Sequence, residues 1–404
     1  QYANSQVPTV DIGGTTYDVE LVIVDNQSST DKAVSAATEL VGAGVSIVLG
    51  SYGSGVSMAG GDVFAASGIP AIGCSCTNPS VTLLCDYYFR VCFLDPFQGK
   101  VMASFAADQY GAKNAYVLTQ LGDDYSTGLG YYFQEAFEAM GGTVTAETFP
   151  EGNSDFSAYL NNAINAGAEV IFCPSSTTSA SLLINQAASM NLAIPLLAGD
   201  TWDSSVISEA AKGTNVEVCM STFLCEGASE QADAFIKGFQ DYLNADSEKQ
   251  TNNGGNDVVS AVSALGYDAY MVAIEAIKAA GSADGEAIRE ALKILEYMGV
   301  LDSSRGDGTY VRNNTVEDLI SKMNFSVTAT GNTIMDLLEL RICLESFAAY
   351  HAAQRRTDED IEALKQAIMR MRKAKRQPQT DDASMQELRQ LSHGFHQCMI
   401  QAAH

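Results

Sequence analysis

The chain has 404 residues, a net charge of −26 and 46% hydrophobic residues, enough for two or three domains with buried cores. So acidic a surface opposes phosphate-backbone binding, which needs clustered Lys and Arg to release counterions, and nucleic acid is not an expected partner. The charge is uneven: ten Lys and Arg stand against 35 Asp and Glu up to Val300, and 13 against 14 beyond it, with all four histidines at or after His351, so the chain reads as two unlike parts joined.

From Thr16 to about Ser282, short β-branched runs alternate with amphipathic stretches. Expected strands are Val19–Val24, Ser46–Leu49, Ala71–Gly73, Tyr88–Phe93, Ala115–Leu118, Val170–Cys173, Leu196–Ala198 and Val216–Ser221. Expected helices between them include Asp31–Val41, Phe97–Tyr110, Ser126–Met140, Ser179–Met190 and Gln231–Leu243. Such alternation, with Gly, Ser or Asn at the junctions, predicts an α/β fold of repeated βαβ units around parallel sheets. Beyond Leu301 the pattern turns helical, at Thr333–Gln354, Asp358–Lys375 and Asp381–Ala403. Asp358, Glu359 and Asp360 open the second of these, and Arg370, Arg372, Lys373 and Lys375 close it, which complements the helix dipole.

The loops Gly50–Gly55 and Cys74–Pro79 each follow an apolar strand and precede a helix. They therefore sit at the carboxyl edge of a sheet, where helix N-termini offer free N–H groups and partial positive charge to a ligand. Neither loop fits G-x-G-x-x-G, the P-loop or the G-x-S-x-G elbow, so nucleotide and hydrolase chemistry find no support. Histidine is absent before His351 and no nucleophile–base constellation is seen, so an enzyme is not expected and no cofactor is implied. Nine cysteines at irregular intervals show neither CxxC spacing nor the density of a disulfide scaffold, and are expected to be buried free thiols. No apolar run approaches the roughly 18–20 residues that span a bilayer, and Gln1 reads as a start left after an upstream segment was removed.

Residues 16 to about 293 resemble the type I periplasmic binding proteins, specifically the branched-chain amino-acid receptors of ABC importers. The stretches that carry the resemblance are ELVIVDNQSSTDKAVSAATELV, GIPAIGCSCTNPSVT, YFRVCFLDPFQGKVMASFA, DDYSTGLGYYFQEAFEAMGG, GDTWDSS and LGYDAYMVAIEAI, in that order. The resemblance implies a two-lobed type I periplasmic-binding-protein fold that closes on an amino acid: lobe one over 1–94, lobe two over 95–222 and return helices, largely to lobe one, over 223–293. It also implies that Ser54, Ser75, Cys76 and Thr77 take the ligand carboxylate, that Tyr125 and Asp200 come from lobe two with Asp200 facing the ammonium, and that Trp202 lies beside the ligand side chain. A zwitterion needs donors at one end and an anion at the other, and these residue types supply both. Ser176 and Thr177 stand where the family often has an aromatic, so the resemblance does not fix the ligand's side-chain size.

The same resemblance implies a first strand, central in the lobe-one sheet, that lies before Gln1, so that two ladder edges are expected to be exposed. The rest of the chain resembles the GntR/FadR-type transcription regulators: Arg289 to Arg312 matches the end of a winged helix with its wing, and LLELRICLESFAAYHAAQRRTDEDIEALKQAIMRMR with FHQCMIQAAH matches the start of the helical effector domain. The phrase EAIREALK suits both families, which places the join near it, with a winged-helix remnant over 294–332 and a partial effector domain over 333–404. His396 matches a metal-ligand position of that second family, but Ser392 replaces the acid a turn earlier, and one ligand cannot hold zinc. The expected function is extracytoplasmic capture of Leu, Ile or Val for an ABC permease; the alternative is an amino-acid- or organic-acid-responsive GntR-family regulator.

Overall fold

The computed structural model describes residues 1–297 continuously and, beyond them, 301–304, 308–311, 352–353, 355–375, 391, 394–395 and 398. The helices expected at 333–354 and 381–403, the linker before them and His396 fall wholly or largely outside the described residues. The chain divides into two compact units, Gln1–Met323 and Asn324–His404.

The first unit opens with a short helix α1 (Tyr2–Gln6) and a hairpin of β1 (Thr9–Ile12) and β2 (Thr15–Asp18), paired with Val10 opposite Tyr17. Gly13 and Gly14 turn the hairpin at φ +60 and +84, a conformation with two positive φ values that glycine adopts without a Cβ clash. Both strands escaped the sequence reading, and the strand expected at Val19–Val24 is not one. After the Val19 N–H donates to the Pro8 carbonyl at 2.8 Å, no ladder partner flanks 20–24 among the described residues, and an apolar run without a neighbour gains no ladder bonds.

Next come α2 (Thr30–Gly42), β3 (Val48–Leu49), α3 (Ser54–Ala66), β4 (Ala71–Gly73), α4 (Ser80–Leu83) and β5 (Tyr88–Arg90), with a parallel sheet of order β3-β4-β5. This is lobe one. Lobe two follows as α5 (Asp95–Tyr110), β6 (Asn114–Gln120), α6 (Asp124–Ala139), β7 (Thr143–Phe149), α7 (Ser157–Asn165), β8 (Val170–Phe172), α8 (Thr177–Ser189), β9 (Leu196–Ala198), a 3₁₀ turn at Asp200–Trp202, α9 (Ser205–Ala211) and β10 (Val218–Met220). Its five strands are all parallel in the order β10-β9-β8-β6-β7.

Strands β8 and β9 are wholly buried, which is why they read as unbroken apolar runs. Strand β7 lies at the sheet edge, half exposed and rich in Thr, so its sequence carries no such run. The lobe-two core stacks Phe133 on Phe172 and on Phe137, with ring centroids 4.1 and 5.6 Å apart. Helices α5 and α6 approach so closely at Gly99 that a Cβ there would lie 2.7 Å from the Phe133 nitrogen.

The chain then forms α10 (Glu230–Asn244), α11 (Ser247–Asn252), α12 (Ala261–Ala280), α13 (Gly285–Tyr297) and an antiparallel pair, β11 (Leu301–Ser304) with β12 (Gly308–Val311). Buried Ala269, Val272 and Ile274 of α12 and Ile288 and Leu292 of α13 share one cluster with Ile72, Val91 and Cys92 of lobe one. Tyr2 packs among Phe235, Phe239, Tyr242 and Tyr267, tying α1 to α10 and α12. In the second unit, α14 (Asp358–Lys375) opens on a reciprocal cap: the Asp360 N–H donates to Thr357 Oγ1 at 3.2 Å and the Thr357 N–H donates to Asp360 Oδ2 at 2.8 Å.

Eight cysteines are described, all free. Cys76, Cys85, Cys92 and Cys173 are buried as expected, Cys74, Cys219 and Cys398 are half-buried, and Cys225 is exposed, contrary to expectation, in the loop before α10.

Candidate functional site

Three strand ends of lobe one build one wall of the cleft. Past β3 the loop 50–53 leads into α3, whose N-cap, Gly53, has no side chain to cover the first free N–H groups. Tyr88 pins this loop from β5: its hydroxyl donates to the Gly50 carbonyl at 2.6 Å and accepts from the Ser51 N–H at 3.0 Å. Past β4, the loop 74–79 carries Ser75, Cys76 and Thr77. Arg90 at the end of β5 holds that loop from beneath, donating to the carbonyls of Cys76 at 2.6 Å, Asn78 at 2.8 Å and Pro79 at 3.3 Å, and to Thr82 Oγ1 at 2.8 Å. A charged donor spread over carbonyls of one loop fixes its shape, since each such bond contributes about 1.5–3 kcal/mol.

The sequence-predicted residues fall as follows. Ser54 is buried at the start of α3, and its Oγ accepts from the Asn78 N–H at 3.1 Å, so it joins the two loops. The Ser75 hydroxyl donates to the Tyr52 carbonyl at 2.9 Å, which leaves its backbone N–H as its free donor. Cys76 is buried, with its sulfur directed back toward Gly73 and the lobe-one core. The Thr77 hydroxyl is buried without a partner.

The opposing wall comes from lobe two. Asp200 is buried in the 3₁₀ turn after β9, where Oδ1 accepts from the Tyr125 hydroxyl at 2.9 Å and from Gln98 Nε2 at 2.5 Å. Burial raises its carboxyl to about 7, although the two hydrogen bonds hold it back. Trp202 lies with the apolar core of lobe two, fully buried, its Nε1 donating to the Ser175 carbonyl at 3.2 Å. Ser176 caps α8 by accepting from the Ser179 N–H at 3.4 Å.

Sequence reasoning missed four contributors. Asp95 is fully buried at the start of α5, and neither carboxyl oxygen reaches a partner; burial raises it to about 8, with the neighbouring Thr77 hydroxyl opposing the rise and Asp200 adding to it. Gln98 lies one turn on, and the D-P-F-Q spacing at a helix start was the available signal. Tyr52 of lobe one is nearly half exposed, and partial desolvation together with the Asp200 and Asp203 carboxylates of lobe two pushes its phenol above its ordinary range. Arg90 was visible only as the one cation between Lys32 and Lys100. Among the described residues no cluster of three or more His, Cys, Asp or Glu could hold a metal ion, and no helix is long and apolar enough to cross a membrane.

A cleft between two α/β lobes, with uncapped amides and hydroxyls on one wall and a buried carboxylate on the other, offers the groups that a small molecule bearing both an anionic and a cationic end would need. Residues 9–326 match the family model described as periplasmic binding protein, and the chain belongs to that family. The match runs past the join expected near 286–293 and includes the β11–β12 pair. Residues 336–404 match the FCD domain, so two families meet in one chain, neither of them enzymatic.

The chain is 30% identical over 299 residues to Leu/Ile/Val-binding protein homolog 1 of Brucella abortus, covering 72% of this chain and 75% of the relative. It is 28% identical over 277 residues to the leucine-, isoleucine-, valine-, threonine- and alanine-binding protein of Pseudomonas aeruginosa, covering 68% and 71%. Among solved structures, the leucine binding protein LivK of Thermotoga maritima superposes with a TM-score of 0.64 at 32% identity over 72% of this chain and 79% of that one. The branched-chain amino acid transporter substrate binding protein LivJ of Streptococcus pneumoniae, in complex with isoleucine, also gives 0.64, at 26% identity over 76% and 84%.

Proposed function

We propose that the chain captures a branched-chain amino acid, Leu, Ile or Val, between its lobes and hands it to the permease of an ABC importer, acting outside the cytoplasm and without bond chemistry. The observation that carries this reading is the complementarity of the two walls. The uncapped α3 start and the loop 75–77 supply donors for a carboxylate, and ionised Asp200, held by Tyr125 and Gln98, supplies the anion for an ammonium. In this reading Ser54 and Thr77 offer hydroxyls, Ser75 and Cys76 offer backbone N–H groups, and Trp202 supports the lobe-two wall from behind. The names of the relatives, and isoleucine in the LivJ complex, support the choice of ligand class.

A thermal-shift screen against the twenty amino acids tests it, because a ligand that binds only the folded state raises the melting temperature by mass action. Leu, Ile or Val should stabilise the chain and fail to stabilise Asp200→Ala; a folded chain that none of the three shifts would refute the ligand class. The FCD match favours a second reading, an amino-acid- or organic-acid-responsive regulator in which the ligand acts on residues 336–404. Hydrogen exchange on the full chain separates the two: added leucine should protect 50–57, 74–80 and 198–202 in the first reading, and 336–404 in the second.

A further inference from the structure

Asn78 uses every polar group it has, and its partners lie on both lobes. Its backbone N–H donates to Ser54 Oγ at 3.1 Å and its carbonyl accepts from Arg90 Nη1 at 2.8 Å, which locks it to the carboxylate-binding side of lobe one. Its Oδ1 accepts from the Ser80 N–H at 2.9 Å, starting α4. The remaining group crosses the cleft: Nδ2 donates to the Asp124 carbonyl at the first residue of α6, at 2.8 Å.

The surroundings of that bond are shaped for close approach. A Cβ at Gly128, one turn along α6, would lie 2.8 Å from Asn78 Nδ2, so only glycine leaves the amide its place. On the other side, Asp124 Oδ2 stands over the first turn of α3, 3.1 Å from where a Cβ at Gly55 would be, so a lobe-two carboxylate faces the uncapped start of a lobe-one helix. The two glycines and the asparagine therefore meet at one seam between the lobes.

We infer that Asn78 is a positioning residue that couples the carboxylate-binding loop to closure of the lobes. It rests on the reading of the cleft as a ligand trap. Arg90 and Ser54 hold the loop 74–79 in the shape that offers donors to a carboxylate, and the same shape sets the Asn78 amide where it bonds to α6, so a ligand that bridges this loop and lobe two favours the closed arrangement. A bond made only in the closed state should slow release and leave capture unchanged.

The test follows leucine association and dissociation by stopped flow, reading the emission of Trp202, the one tryptophan in the chain. Asn78→Asp keeps an acceptor for the Ser80 N–H and both backbone bonds but removes the donor to Asp124. Gly128→Ala inserts a methyl that is relieved only by swinging the Asn78 amide off its bond. Each should release leucine about tenfold faster with an association rate within about twofold of wild type, at a nearly unchanged melting temperature. Wild-type dissociation rates in both variants overturn the inference. If Asn78→Asp melts far below wild type, Gly128→Ala alone decides. If wild type binds no leucine, the ligand reading fails and small-angle scattering of the ligand-free proteins decides the latch: a larger radius of gyration in both variants supports it, and profiles identical to wild type refute it.

Discussion

Asp200 should make the affinity for an ammonium ligand depend on pH. Its carboxyl sits at about 7 because burial disfavours the charge, while Tyr125 and Gln98 partly compensate. An ammonium binds the ionised form, and a proton competes with it for the same oxygens. The ionised fraction of such a group rises from roughly one-eleventh at pH 6 to roughly ten-elevenths at pH 8, so leucine affinity should climb about tenfold across that interval. Leucine's own groups do not titrate there, and Asp95, at about 8, stays mostly protonated through the lower half of the interval. Isothermal titration in two buffers of different ionisation enthalpy should also show close to one proton released per leucine near pH 6. Asp200→Asn should remove the dependence together with most of the affinity. An affinity that is flat or falls between pH 6 and pH 8 in wild type would refute the assignment of Asp200 as the ammonium partner.

Other perturbations have defined outcomes. Asp95, Asp200 and Asp268 are all raised by burial, Asp268 to about 7, so the unfolded chain loses these protons from about pH 4 while the native state keeps them up to about 7–8; the ligand-free melting temperature should therefore fall between about pH 5 and pH 7 and level off above about pH 8. Arg90→Ala frees three carbonyls of the carboxylate loop and should cost about 2–4 kcal/mol in denaturant unfolding, with weaker leucine binding in the variant that still folds. Phe133→Ala removes a ring stacked on Phe172 and Phe137 and should cost about 3–5 kcal/mol, without altering leucine affinity once the protein is saturably folded. Gly99→Ala forces α5 and α6 apart against backbone atoms and should cost about 1–3 kcal/mol.

Where burial on both faces wrote an apolar run into the chain, the sequence was readable: Ala71–Gly73 and Leu196–Ala198 are strands with the expected bounds, and Val170–Cys173 contains a strand one residue shorter, whereas Tyr88–Phe93 and Val216–Ser221, less completely buried, contain strands three residues shorter. Two signals misled or failed. Val19–Val24 has the composition of a strand but no neighbour to pair with among the described residues, because pairing is a property of the sheet and not of the segment. Thr143–Phe149 is a strand whose edge position permits polar side chains, so no apolar run announced it. In the site, residues named through family likeness came from loops whose phrases are distinctive. Asp95, Gln98 and Arg90 act through burial and through bonds to carbonyls far along the chain, which neither spacing nor composition reveals. Cys225 shows the same limit in reverse: an isolated thiol carries no sequence mark of whether the fold will cover it.

The most direct measurement of the central claim is isothermal titration of the purified chain with leucine, isoleucine and valine, with glutamate and lysine as charged controls, at pH 8. The account predicts one site, micromolar or tighter affinity for at least one branched-chain amino acid (about 8 kcal/mol or more of binding free energy), and no saturable heat from the controls. A cooperatively folded chain that takes up none of the three, or that prefers glutamate or lysine, would contradict it.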